Sequence, residues 1–318
     1  DVTLIDQWPA HVEAMRSRGL RIEMPERTLE VAVQARHLCE VTELREPFDL
    51  VLVLVKAYDT RWACELIEPW VAADGLVAGV QNGMTQRTIA DVVGPERAIG
   101  CVIEISSEMT DPGIVHRHSG PSASYFAVGA VDPAAAGREA EVAAVLARSA
   151  DTVEALGVGK IEAAKWMKLV SNSTTLVGSA ILAMPIAACA KLEPMRELML
   201  AAGREALSAG TARGLSRVPI FGLDAAAMEA ADDLPEFLLD TLVERFVLPE
   251  TTSTVLHDWT KGRRGEVDDI NGEVVAALGA EAPANGAIVE VAHRIERGEL
   301  EPSRANLDLL QSLAQASH

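Results

Sequence analysis

Apolar residues in the first half of the chain come in short blocks separated by amphipathic stretches. Val2 to Ile5 reads as a short strand and Ala10 to Arg18 as a helix, which Gly19 ends because glycine readily takes a left-handed conformation. Leu50 to Val55 is apolar at every position and rich in valine, the pattern of a parallel strand covered on both faces. A helix from about Thr60 to Val71, a strand from Leu76 to Val80, a turn at Asn82-Gly83 and a helix to about Val93 follow. Ala98 to Ile105, Ile114 to His118 and Tyr125 to Val131 read as further strands, and Pro133 opens an alanine-rich helix. Strands alternating with helices predict a parallel α/β sheet.

Past about residue 159 the pattern becomes helical. Leu238, Leu242 and Phe246 fall on one helical face, as do Val267, Ile270, Val274 and Leu278, while Gly214 and Gly279 stand where such helices end. The expected division is an α/β domain over 1–158 and an all-helical domain over 159–318. No flexible linker separates them, so a shared rigid interface is expected, with the active site in the cleft.

Composition narrows the function. A formal charge of −19 argues against nucleic acid, because phosphate binding needs a basic face. It also means that an anionic substrate must be received by a local cluster of donors. No apolar run approaches the ~18 residues that cross a bilayer, and the first residues lack a secretion signal. Cys39, Cys64, Cys101 and Cys189 are scattered without metal or disulfide spacing, which fits a reducing cytoplasm. His116 and His118 share a strand face, but no third ligand follows at useful spacing, so no metal is expected.

Dinucleotide-binding folds place a glycine loop after the first strand and an acidic residue about 20 residues later, at the end of the second strand. Asp6 ends the first strand here, where a carboxylate can accept hydrogen bonds from an adenosine ribose. Only five residues precede it, so no G-x-G-x-x-G loop stands ahead of it in the sequence.

Three segments carry further chemistry. The first is Val55-Lys56-Ala57 together with Val80-Gln81-Asn82-Gly83-Met84, each at the end of a strand, where open α/β sheets bind ligands. The second runs from Glu162 through Lys165-Trp166-Met167-Lys168-Leu169 to Asn172. Lys168 and Asn172 are four apart and so project from one helical face. Carbonyl reduction needs a proton donor at the oxygen while hydride reaches the carbon, and a lysine in a dry cleft suits that task. The third is Lys261-Gly262-Arg263-Arg264-Gly265-Glu266-Val267-Asp268-Asp269-Ile270-Asn271-Gly272, with Pro283-Ala284-Asn285 beyond it.

In order and spacing these segments resemble the 2-dehydropantoate 2-reductase (ketopantoate reductase) family from residue 1 to about residue 297. The resemblance implies a Rossmann-type domain lacking its first βα unit, followed by a helical domain like that of 6-phosphogluconate dehydrogenase relatives. It implies hydride transfer from a nicotinamide to a small 2-keto acid, with Lys168 as proton donor and Asn172 and Glu266 completing the catalytic set. Asn82 and Lys56 then line the junction of nicotinamide and substrate, and Thr254 stands where the family usually has a serine against the substrate carboxylate.

Two departures modify the expectation. Leu176 occupies the place of a second asparagine, and an apolar group cannot replace an amide's hydrogen bonds, so the accepted substrate is expected to differ. Most members use NADP, whose 2′-phosphate pairs with a basic residue, whereas Asp6 repels that phosphate and favours NAD. The expected partners are a small-molecule keto acid and a second copy of the chain, without nucleic acid or membrane. The alternatives are a 3-hydroxy acid dehydrogenase, which also uses a lysine and an asparagine four apart, and a non-catalytic binding or assembly protein that keeps the fold.

Overall fold

The structure is a computed structural model that describes residues 1–316. The chain opens with β1 (Thr3–Asp6), α1 (Pro9–Arg18), β2 (Leu20–Glu23), β3 (Thr28–Val31) and β4 (Gln34–His37). Next come β5 (Phe48–Val53), α2 (Thr60–Ile67), β6 (Val71–Val80), α3 (Gln86–Val93) and β7 (Ala98–Glu104). β8 (Ser107–Glu108), β9 (Ile114–Arg117), β10 (Tyr125–Ala130), α4 (Glu139–Leu146) and β11 (Thr152–Leu156) complete the strand-bearing part.

From Lys160 onward the regular elements among the described residues are all helices: α5 (Lys160–Ile181), α6 (Ile186–Lys191), α7 (Glu193–Ala212), α8 (Ala225–Ala230) and α9 (Leu234–Arg245), then α10 (Thr254–Thr260), α11 (Asn271–Leu278), α12 (Pro283–Glu296) and α13 (Leu307–Ala316). Among them, no helix is long and apolar enough to cross a membrane.

The main sheet has five strands in the order β11-β10-β7-β6-β5. It is not wholly parallel as expected, because β10 runs antiparallel to β7. A parallel return needs a crossover. Here the chain instead leaves the carboxyl end of β7 into a small sheet, β3-β2-β9-β8, and re-enters beside Glu104 at Tyr125. β1 also departs from the expected single sheet. It pairs in parallel with β4 as a separate two-stranded sheet, and Ile5, like Phe48 and Val51, packs against Val41, Leu44 and Ile67.

Other differences are local and have visible causes. Pro69 lacks an N–H, so α2 closes at Ile67, and a single turn hands the chain directly into β6 at Val71. Pro133 opens only a short turn, since Gly137 at φ +87° separates it from α4. Val267 and Ile270 are buried but lie in the turns before α11, so only Val274 and Leu278 of that predicted stripe sit on a helix. β2, β3, β4, β8 and β11 carry no apolar run, and strand pairing rather than hydrophobicity makes them strands.

The helix that matters most is α5, whose side chains are buried almost all round, as befits the central helix of a bundle. Gly100 and Gly129 are cross-strand partners on β7 and β10, and a Cβ at either would lie within 2.8 Å of Ile161. The two glycines therefore form a notch that seats the first turn of α5 on the sheet. On its other side α7 approaches closely, since a Cβ at Gly210 would stand 2.3 Å from Trp166 Nε1.

Candidate active site

α5 brings Lys165, Lys168 and Asn172 onto one face, at intervals of roughly one helical turn. Docked by Ile161, that face meets the carboxyl ends of β6 and β7. Lys168 is 9% exposed, and its Nζ pairs directly with Glu104, the last residue of β7. The Phe221 ring centroid lies 5.1 Å from the same Nζ. Four residues on, Asn172 Nδ2 donates to Asn82 Oδ1 at 3.0 Å, which joins α5 to the turn after β6. The expected dry lysine is present, but its partner is a carboxylate that holds it in one direction.

A cavity of about 150 Å³ opens beside this pair. Lys168, Asn172 and Thr254 line it, as does Glu104. Leu176, Ile186, Leu242 and Val247 supply an apolar wall. Thr254 Oγ1 is buried and has no hydrogen-bond partner among the described residues, so it is an available polar contact for a ligand. Glu108 also lines the cavity, between His118 Nε2 at 3.4 Å and His257 Nε2 at 3.7 Å. Burial pushes the His257 imidazole below its ordinary range. His116, by contrast, pairs with Glu23 on β2, and β9 ends at Arg117, so His118 lies just beyond the strand and the two histidines serve different partners.

Lys56 and Glu266 form a second group rather than part of the cavity wall. Glu266 is 3% exposed, its Oε1 accepts from the Ala57 N–H at 2.9 Å, and its Oε2 lies 3.7 Å from Lys56 Nζ. Asp258 Oδ2 stands closer to that ammonium, at 2.5 Å. Glu266 is not a first-turn helix residue, because α11 begins five residues later at Asn271. Here a helical-domain segment clamps the end of β5.

Glu104, Lys165 and Asp258 have roles that sequence reasoning missed. Glu104 ends a strand as Asn82 follows one, and that rule could have found it. Nothing local marks Asp258.

Lys165 is 3% exposed, and its Nζ donates to the carbonyls of Gln81 at 2.8 Å and Cys101 at 3.2 Å. Burial lowers it to about 8 from 10.5, against smaller opposing effects of Cys101 and Glu266. The unfolded chain therefore binds more protons than the folded one between those values, and this group's contribution to stability rises with pH across that window. Urea denaturation of wild type and Lys165→Met from pH 7.5 to 10.5 is expected to show wild type gaining relative to the variant. A constant difference would remove the titration from this site.

Asp6, Lys56 and Asn82 each stand at or just past the carboxyl end of a strand, and their carboxylate, ammonium and amide suit the hydroxyls and carboxamide of a nicotinamide dinucleotide. Asp6 Oδ1 accepts from the Trp8 N–H at 2.7 Å, which orients the carboxylate.

Comparison with known proteins gives a consistent picture. The family described as "Ketopantoate reductase PanE/ApbA" matches residues 1–131, and its C-terminal counterpart matches residues 160–296. A 2-dehydropantoate 2-reductase of Caulobacter vibrioides is 28% identical over 294 residues, covering 89% of this chain and 90% of its own length. Among solved structures, a PanE/ApbA family ketopantoate reductase from Ralstonia eutropha JMP134 aligns at a TM-score of 0.74 with 25% identity, over 93% of this chain and 91% of that one. D-mandelate dehydrogenase, solved with NADH and anilino(oxo)acetate, aligns at 0.78 with 18% identity over the same shares and is alike in fold.

Proposed function

The chain belongs to the ketopantoate reductase family, and from that premise we propose that it reduces the carbonyl of a small 2-keto acid, with Lys168 supplying the proton. It is a nicotinamide-dependent oxidoreductase acting on a keto acid. The observation that carries the residue-level reading is the meeting of Lys168, Asn172 and Thr254 on one cavity, with Asn82 bonded to Asn172 at 3.0 Å. We take 1–158 as the cofactor domain and 159–318 as the substrate domain.

A reduced nicotinamide, when bound, supplies the hydride. Lys168 gives one ammonium proton to the carbonyl oxygen, which leaves a 2-hydroxy acid and a neutral amine. Glu104 aims the ammonium, and Asn172 and Asn82 orient the oxygen. The free hydroxyl of Thr254 is assigned to the substrate carboxylate. Glu266 and Asp258 hold Lys56 at the junction of nicotinamide and substrate.

Leu176 contributes to the apolar wall, so a distal group less polar than that of 2-dehydropantoate is favoured. Asp6 favours the free 2′-hydroxyl of NAD over the phosphate of NADP. The pairing of Asn82 with Asn172 and the clamp of Glu266 on β5 favour this reading over a 3-hydroxy acid dehydrogenase.

The test is steady-state turnover of the full-length protein on 2-dehydropantoate and on branched apolar 2-keto acids, with NADH and NADPH. The expected result is a higher kcat/KM for the apolar acids and a preference for NADH of about tenfold, which ~1.4 kcal/mol of repulsion provides. A preference for NADPH would take Asp6 out of the site. Absence of turnover on every acid would end the proposal.

A further inference from the structure

Buried lysines are costly unless something requires the charge or its donors, because a dry interior disfavours the ammonium. Lys165 is such a residue. It does not line the cavity, and among the described residues no carboxylate bonds to it. Its two acceptors are main-chain carbonyls, one of Cys101 on β7 and one of Gln81 just past β6, beside the Val80–Cys101 pair that ends the β6–β7 ladder. One of them belongs to Gln81, directly before Asn82.

The rest of this turn is held as firmly. Gln81 Nε2 donates to the Val55 carbonyl at 2.7 Å and to Thr60 Oγ1 at 3.0 Å. Gly83 takes φ +71°, and a Cβ there would lie 3.2 Å from the Asp269 carbonyl. Between those two anchors the Asn82 side chain reaches back to α5, where its Oδ1 accepts from Asn172 Nδ2.

We propose that Lys165 is a positioning residue: by holding the Gln81 and Cys101 carbonyls it fixes the peptide that carries Asn82, and through Asn82 it fixes the Asn172 amide at the cavity. α5 thereby sets its own catalytic face twice, once by presenting Lys168 and Asn172 and once by holding the turn that Asn172 must meet. A merely structural lysine would be replaced without functional loss by methionine, which fills similar space and needs no solvation. The lowered proton affinity of Lys165 agrees with its desolvation.

This inference rests on the 2-keto acid reading above, and its test separates the two. Wild type, Lys165→Met, Asn82→Ala and the double variant are compared in the full-length protein by kcat, KM and Tm. Lys165→Met is expected to lower kcat/KM by about 10- to 100-fold, mostly in kcat, because misplaced orienting groups act on the reaction geometry. In the Asn82→Ala background the same change is expected to cost less than about threefold, because the two residues act through one path.

A ligand-independent readout accompanies the cycle: the Asn82 side-chain amide resonance shifts in Lys165→Met. If no acid is turned over, the keto acid reading fails and the amide shift alone decides the placement of Asn82. Losses that multiply, or an unmoved Asn82 amide, would overturn the role of Lys165. Should Lys165→Met not fold, Lys165→Gln takes its place in the cycle, and failure of both to fold would make the residue a folding determinant and overturn the proposal.

Discussion

Lys168→Ala is expected to lower kcat by about 10²- to 10⁴-fold, the usual contribution of a positioned proton donor. Stability falls as well, because Glu104 loses its partner while only 11% of its side chain is exposed. Breaking a largely buried pair costs about 3 kcal/mol. Two further variants separate the effects. Lys168→Arg keeps a cation against Glu104 and most of the stability, yet a guanidinium does not release its proton at working pH, so turnover stays low. Glu104→Gln keeps a polar partner but no longer aims the ammonium by charge, and an intermediate kcat is expected. Stopped-flow oxidation of NADH gives the rates and urea denaturation the stabilities. Lys168→Arg turning over like wild type would refute the assignment of the proton to Lys168.

The second large effect is expected at Glu266. Glu266→Ala strips the acceptor from the buried Ala57 N–H and leaves Lys56 with Asp258 alone. The expected loss is about 3 kcal/mol, since an unpaired donor and a weakened buried ion pair both contribute. Glu266→Gln keeps an oxygen for the Ala57 N–H and should retain most of that stability. Both variants weaken the hold on Lys56, so both should raise KM for the cofactor or the substrate. Equal stability of Glu266→Ala and wild type in urea would show that the clamp on β5 carries no weight. Asp258→Asn is the companion measurement, because Asp258 makes the shorter contact with Lys56.

Legibility differed between kinds of feature. The elements around the site were readable because each depends on a local signal: the apolar run whose Leu50 to Val53 lie in β5, the Asn82-Gly83 turn with its positive φ, and the four-residue spacing of Lys168 and Asn172 on α5. The strands of the small sheets were not, because sequences such as Gln34-Ala35-Arg36-His37 acquire strand geometry only from a partner. The helix predicted through Val267 and Ile270 failed for a related reason. These residues are buried by packing against other helices, and burial without a continuous helix gives the same apolar spacing.

By itself the sequence determined an α/β part followed by helices, and the presentation of Lys168 and Asn172 on one helical face. Both follow from rules that act over a few residues: side-chain alternation, helical periodicity and the conformational limits of glycine and proline. Only the tertiary structure decided what those side chains meet. Lys168 finds Glu104 across 64 residues of chain, Asn172 finds Asn82 across 90, and Glu266 finds the Ala57 N–H across 209. Such pairs depend on how α5 seats in the Gly100–Gly129 notch and how the helical part closes on the strand ends. No local periodicity encodes that docking, since it is settled by the summed packing of distant surfaces.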